Sequence, residues 1–171
     1  MTFEEIVSYI KSNNADFIKE VDENSTPKST IVDASNLLDF MNTLYQNDKL
    51  YFDMLSCITG LDNGPEANTM EVIYNLNSIP FNHQLMVKVI LERSKLTIPT
   101  LSHIWKTADW LEREVYDMYG IEFTNHPDLR RILMPADWEG YPLRKDYQEQ
   151  EQYRGITVKH EDLLNRENTE S

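Results

Sequence analysis

Cysteine is nearly absent: Cys57 is the single thiol in 171 residues. One thiol builds no disulfide framework, which fits a reducing cytosol. Nor can it supply the roughly four thiolates of an ordinary iron–sulfur cluster. His83, His103, His126 and His160 are scattered without zinc-ligand spacing. No cofactor or metal is therefore expected on this chain. Glycine is scarce as well, at 5 residues, and no phosphate-cradling Gly-rich loop occurs. Basic side chains number 16 against 29 acidic ones, a net charge of −13. That sign repels phosphate backbones and anionic bilayers, which argues against nucleic-acid binding and unaided membrane docking. Long apolar runs are missing too. The best, Leu85 to Leu91, is short and carries Lys88, whereas a membrane span needs about 20 residues. The opening MTFEEIVSYIK has neither a basic flank nor an apolar stretch, so no secretory leader is expected.

What is present reads as one globular domain followed by an arm. The chain is 40% hydrophobic and 26% charged, enough to bury a core. Thr2 with Glu5 forms a capping box and predicts a helix from about Phe3 to Asn13. Asp16 to Asp22 is expected as a strand, Asn24 to Lys28 as a turn, and Ser29 to Val32 as a second strand. Asp33 or Ser35 caps a helix in which Leu37, Met41, Leu44 and Tyr45 recur at helical spacing. A strand follows with Leu50, Phe52 and Met54 on one face and Tyr51, Leu55 and Cys57 on the other. Leu61 to Asn68 is a turn. Met70, Val72, Tyr74 and Leu76 then alternate with polar residues, as do Leu85, Val87, Val89 and Leu91, around a turn at Ser78 to Asn82.

Strands joined by short turns predict an antiparallel-rich sheet. The fold class is α+β, with helices on one face of the sheet. The longest helix is expected from about Ser102 to Tyr119, with an apolar stripe of Ile104, Ala108, Leu111, Val115 and Met118. Gly120 stops it in the left-handed conformation, and Ile121 folds back onto Tyr116. Beyond Pro135 periodicity ends. Residues 1–134 are read as the α+β domain and 135–171 as an extended partner-binding arm. The polar end, Asn165 to Ser171, is expected to be disordered when free.

The densest segment runs from Glu112 to Tyr147. At about 100° per residue, Glu112 and Glu114 lie about 80° to either side of the core stripe and Arg113 lies opposite it. The two carboxylates are too far apart around the helix to act as an acid/base dyad. Arg113 is expected to face outward between Asp109 and Asp117. Carboxylates at the border of a core need partners when they lose water. His126, Arg130, Arg131, Arg144 and Lys145 are on offer, either as a local network or through a neighbouring protein chain. His126-Pro127 reads as a turn with a hydrogen-bonded imidazole. Trp105 and Trp110 read as packing residues, Cys57 as a buried small hydrophobe, and Trp138 as an anchor for the arm, on a partner or on its own domain.

The same segment closely resembles the thirty-kilodalton subunit family of bacterial respiratory complex I, the proton-translocating NADH:quinone oxidoreductase. The resemblance is carried by Glu112, Arg113, Glu114, Asp117, Met118, Tyr119, His126, Arg130, Ile132 and Leu133. Downstream it continues through Asp137, Trp138, Gly140 and the run Pro142, Leu143, Arg144, Lys145, Asp146 and Tyr147. It covers 36 residues without a gap. Gln148 departs from the family pattern, which has Pro there.

The resemblance implies a peripheral-arm subunit on the cytoplasmic face of the inner membrane that carries no cofactor of its own. FMN, iron–sulfur clusters, NADH and quinone belong to other chains of the complex. The implied partners are the large quinone-site subunit, which forms the quinone pocket, and the terminal-cluster subunit, which holds the last iron–sulfur centre. The implied role is scaffolding, through family and interface residues that include Gly120 and Pro127. Arg130, Arg131, Asp137, Trp138, Arg144 and Asp146 are the expected contacts. One rival is the equivalent subunit of a membrane-bound hydrogenase or formate-oxidising complex. Another is a free-standing hydrolase using Glu114 and His126.

Overall fold

Residue alternation and three amphipathic helices build the core. The structure is a computed structural model that describes residues 1–158. The expected polar end at Asn165 to Ser171, and His160, lie outside these residues. The first helix, α1 (Phe3–Asn13), starts at the foreseen capping box: Thr2 Oγ1 accepts from the Glu5 N–H, and Glu5 accepts from the Thr2 N–H. Its buried face is Ile6, Val7 and Ile10. The expected strand at Asp16 to Asp22 divides into a 3₁₀ turn at Ala15–Phe17 and a three-residue strand, β1 (Glu20–Asp22). Phe17 packs edge-on against Phe40 at 5.7 Å, which holds that stretch as a turn.

β2 (Ser29–Ile31) and α2 (Leu37–Gln46) follow where they were expected, but the residue at the α2 N-cap is Asn36, with no side-chain cap bond, rather than Asp33 or Ser35. β3 (Met54–Asp62), β4 (Thr69–Ser78) and β5 (His83–Glu92) form the predicted meander. The sheet order is β1-β2-β5-β4-β3, antiparallel except for the β2–β5 pair. The alternation in β4 buries Met70, Val72, Tyr74 and Leu76. Leu50 and Phe52 are buried but precede β3, because Tyr51 takes φ +34° and breaks the extended chain. Met54, expected on their face, is exposed. Cys57 is half-exposed on edge strand β3, with Sγ 3.3 Å from Thr59 Oγ1, and is not a core residue.

A short strand, β6 (Thr97–Pro99), pairs in parallel with β7 (Glu122–Thr124) across α3 (Ala108–Tyr119). The helix begins six residues later than expected. The reason is local: the Trp105 indole donates to the Phe52 carbonyl at 3.1 Å, and Thr107 Oγ1 donates to Leu55 O at 3.2 Å. These bonds tie Ser102–Thr107 to the start of β3 as turns. Gly120 ends α3 at φ +70°, with its N–H on Tyr116 O. A side chain there would also meet the Tyr141 ring at 2.5 Å and Arg144 at 2.6 Å. In the arm, a hairpin of β8 (Gln152–Tyr153) and β9 (Ile156–Thr157) turns at Arg154 and Gly155, both at positive φ. Sequence periodicity held no sign of it.

Candidate functional site

The Glu-Arg-Glu helix and the chain that follows it are joined by buried and half-buried acids and by arginines. Asp117 is fully buried. Its Oδ2 accepts from the N–H groups of Ile132, Leu133 and Met134 at 2.9, 2.7 and 2.9 Å. Its Oδ1 accepts from Arg131 at 2.7 Å. Burial pushes the carboxyl up, but those donors and the Arg131 charge outweigh it and hold Asp117 below the usual range. Arg131 also reaches the carbonyls of Trp138 and Gly140 at 3.2 and 2.8 Å. One arginine thus fixes both the loop and the start of the arm.

A second clasp joins the arm to the sheet. Asp62, 2% exposed at the end of β3, accepts from Arg93 at 2.6 Å, from the Lys145 N–H at 2.8 Å and from the Gly64 N–H at 2.8 Å. Arg93 also grips Asp146 with two bonds, of 2.8 and 2.9 Å. That hydrogen-bonded pair lowers the Asp146 carboxyl to about 2. Arg144 donates to Tyr119 O at 2.7 Å and lies over the Tyr141 ring at 4.4 Å. Asp62 and Arg93 were not among the residues expected from sequence. They sit in a turn and at a strand end with no local pattern, 31 residues apart.

Glu112 is the opposite case. It is fully buried, with Oε1 2.6 Å from the Leu101 N–H and Oε2 2.5 Å from Thr100 Oγ1. Burial dominates and pushes its carboxyl up to about 7. His126 Nε2 stands 3.8 Å away. That imidazole accepts the Asp128 N–H at Nδ1 (3.1 Å) and donates from Nε2 to Asp109 O (3.0 Å), the pattern of a neutral ring. The turn at His126-Pro127 is therefore hydrogen-bonded as expected, and Pro127 is exposed.

Other expectations change. Glu112 is not a border residue, because the Thr100–Ser102 turn closes over it. Glu114 is exposed and lines a groove of about 150 Å³ with Cys57, Leu111 and Leu143, a lining that does not include His126. Arg113 does not face water: it is 5% exposed, and its Nε donates to Arg130 O at 3.3 Å. The pairs with Asp109 and Asp117 do not form, since the 130–134 loop covers this side and takes Asp117. Trp105 is buried as a packing residue, but Trp110 is 64% exposed. Arg130 is exposed and pairs with Asp128 at 2.9 Å.

Trp138 donates to the Tyr147 hydroxyl at 3.1 Å and packs on Tyr153 at 5.2 Å, within the arm. Asp137 accepts from Tyr153 at 2.6 Å and from Arg154 at 2.8 Å. Lys145 contributes its N–H, and its side chain is solvated. Among the described residues, no three His, Cys, Asp or Glu side chains gather as a metal site. No helix among them is long and apolar enough to cross a membrane.

The sequence and the fold are similar to those of known proteins. Residues 30–153 match the family model described as respiratory-chain NADH dehydrogenase, 30 Kd subunit. The chain is 40% identical over 151 residues to the corresponding NADH-quinone oxidoreductase subunit of Chlorobium phaeobacteroides, covering 87% of this chain and 90% of that one. The chain belongs to the thirty-kilodalton subunit family of NADH-quinone oxidoreductase, respiratory complex I. Identity reaches 44% over 153 residues with the same subunit of Chloroherpeton thalassium, a match that spans 62% of that protein. Two solved structures share the fold of this thirty-kilodalton subunit. A trypsin-resistant fragment (1–134) of Nqo5 matches with a TM-score of 0.62 and 26% identity, over 75% of this chain and all of that one. A chain of the membrane-bound sulfane sulfur reductase, described as an archaeal respiratory membrane complex, matches with a TM-score of 0.71 and 27% identity, over 85% of each.

Proposed function

We propose that this chain is a scaffolding subunit in the peripheral arm of NADH:quinone oxidoreductase, on the cytoplasmic face of the inner membrane. It holds the large quinone-site subunit and the terminal-cluster subunit at fixed separation. FMN, the iron–sulfur clusters, NADH and quinone are bound by other chains of the complex. The observation that carries this reading is the near full-length match to a thirty-kilodalton subunit of the same enzyme, at 90% of that protein. The side-chain arrangement supports it. Each buried acid of the motif is spent on fixing a loop; Glu112 has His126 at 3.8 Å, but both side chains are fully buried rather than open to a cleft, and the groove lined by Glu114 does not include His126. Residues 1–134 form the domain, and 135–171 carry contacts to neighbours. The clasps through Arg131, Arg144 and Asp146 pre-order the start of that arm, which lowers the entropy cost of docking it.

The test is affinity purification of the tagged chain from native membranes, with mass spectrometry. Recovery of the quinone-site and terminal-cluster subunits is expected. The isolated chain is expected to be colourless and inactive, and a flavin or cluster spectrum from it would refute the reading. Deletion of 135–171 is expected to leave a folded domain that no longer co-purifies. The similarity to a chain of an archaeal sulfane sulfur reductase complex favours one second reading. In it, the same scaffold serves a respiratory complex with another donor or acceptor, as in a membrane-bound hydrogenase or formate-oxidising complex. Flavin- and NADH-binding subunits among the co-purified proteins separate the two.

A further inference from the structure

The side of α3 that lies under the 130–134 loop carries a cation without an anion among the described residues. The Arg113 guanidinium lies over the Trp110 ring at 4.8 Å, and only its Nε has a hydrogen-bond partner there, Arg130 O. Every acid nearby is engaged or turned away. Asp109 faces His126, with 3.8 Å between Oδ1 and Nε2. Asp117 is filled by Arg131 and three N–H groups. Asp128 pairs with Arg130. Glu112 binds Thr100 and Leu101. Glu114 lines the groove on the β3 side of the helix. Arg113 is 5% exposed as a residue, its stem covered and only Nε of its guanidinium hydrogen-bonded within the chain, and a cation so largely withdrawn from water gains from a counter-charge at its open N–H groups. Stacking on the indole returns about 0.5–2 kcal/mol but leaves the planar N–H fork unanswered.

Two large apolar side chains flank this cation. Trp110 is 64% exposed and Leu133 60%. Leu133 is held in place by its N–H on Asp117, in the loop whose Arg130 carbonyl receives Arg113. Tryptophan and arginine are the residue types that dominate interface energetics. We infer that Trp110, Arg113 and Leu133 form a docking face for an acidic segment of a neighbouring protein chain. One Asp or Glu of that segment enters the Arg113 fork, and an apolar side chain beside it covers Trp110 and Leu133. The inference rests on the proposed subunit role. The net charge of −13 repels an acidic partner at a distance, so the pair acts on contact, fixing register rather than speeding encounter.

The test uses the full tagged chain, co-expressed with the other subunits of its assembly. Trp110→Ala removes an exposed side chain and is expected to leave the fold intact. Arg113→Gln removes the charge, and Ile79→Ala, at an exposed position in the turn between β4 and β5 and outside the arm, is the control. Recovery of partner subunits is expected to fall at least tenfold for the first two and to stay within twofold for the control. The melting temperature of the isolated Trp110→Ala chain is expected to match wild type. Arg113→Lys adds a chemical readout. A carbodiimide activates the partner's carboxylate, the introduced amine displaces the activated group, and an amide forms with release of the urea. A cross-link to an Asp or Glu of another subunit is expected. A cross-link only to this chain's own Asp109 or Asp117, or none, would overturn the docking face. So would normal assembly of Trp110→Ala and Arg113→Gln. Failure of the wild-type chain to co-purify would overturn the subunit role and the docking face with it.

Discussion

Asp117 and Glu112 are both fully buried carboxylates on one helix, five residues apart, yet their electrostatics are opposite. Asp117 receives an arginine and three backbone N–H groups, so it stays charged and ties the following loop to α3. Glu112 receives one N–H and one hydroxyl and has only a neutral imidazole beside it. Burial decides its state, and it holds its proton up to about pH 7. Burial alone therefore does not say whether an acid is ionic. The number and charge of the donors aimed at it do.

The largest expected effect comes from breaking the charged case. Asp117→Ala leaves Arg131 and three N–H groups without their acceptor. The loss is expected to be about 3–5 kcal/mol, the cost of orphaning a buried pair. Urea denaturation measures it, and limited trypsin digestion is expected to cut within residues 130–145. A loss below about 1 kcal/mol would mean that the loop is held by other contacts. Its pH signature runs toward acid. A lowered carboxyl stabilises above its unfolded value near 3.8 and loses that stabilisation as pH falls through the lower folded value.

Glu112 has the reverse sign. Between about pH 4.5 and 7 the folded chain keeps a proton that the unfolded chain releases. Its contribution is full below about 4.5 and is lost as pH rises to about 7. The span corresponds to about 3 kcal/mol at about 1.36 kcal/mol per pKa unit. Glu112→Gln imitates the protonated acid: its carbonyl accepts from Leu101 and its amide donates to Thr100. The variant is expected to match wild type near pH 4.5 and exceed it at pH 8, measured as urea midpoints across pH. Parallel curves for the two proteins would mean that Glu112 is ionised in the fold, erasing the contrast with Asp117.

Asp62 stands between these cases, with one arginine and two N–H donors. Asp62→Asn retains an acceptor but loses the charge opposite Arg93. A loss of about 1–3 kcal/mol is expected, with faster proteolysis near Lys145 than in wild type. Equal proteolysis would show that Arg144 and Arg131 alone hold the arm.

What the sequence revealed follows the range of each interaction. β4 and β5 were legible because a two-residue alternation spans each whole strand. α1 was legible because its cap is local. β6, β7 and the β8–β9 hairpin, at two or three residues each, are too short for any period to register. The Asp62–Arg93–Asp146 clasp joins residues 31 and 53 positions apart with no local signal. Helical projection read Glu112 as a border residue and Arg113 as outward-facing, and both are buried. The side opposite the core stripe is not always water, because the 130–134 loop returns over Arg113. The border of the stripe is not always open, because Thr100–Ser102 closes over Glu112.

Glu114 gives the smallest effect and the sharpest control. It shares a motif with Glu112, but its side chain is exposed and has no hydrogen-bond partner among the described residues. Exposed substitutions away from caps and clasps fall within about 0.5 kcal/mol. Glu114→Gln is therefore expected to leave the urea midpoint unchanged from pH 4.5 to 8, while Glu112→Gln changes it. A hydrolase that used Glu114 with His126 would instead show turnover in the isolated wild-type chain and lose it in Glu114→Gln. The distances speak against that pairing: His126 Nε2 is 3.0 Å from Asp109 O and 3.8 Å from Glu112, so the carboxylate beside the imidazole is Glu112. A stability change for Glu114→Gln as large as that for Glu112→Gln would mean that the groove between α3 and β3 closes over it in solution. The two glutamates would then differ in partner rather than in exposure.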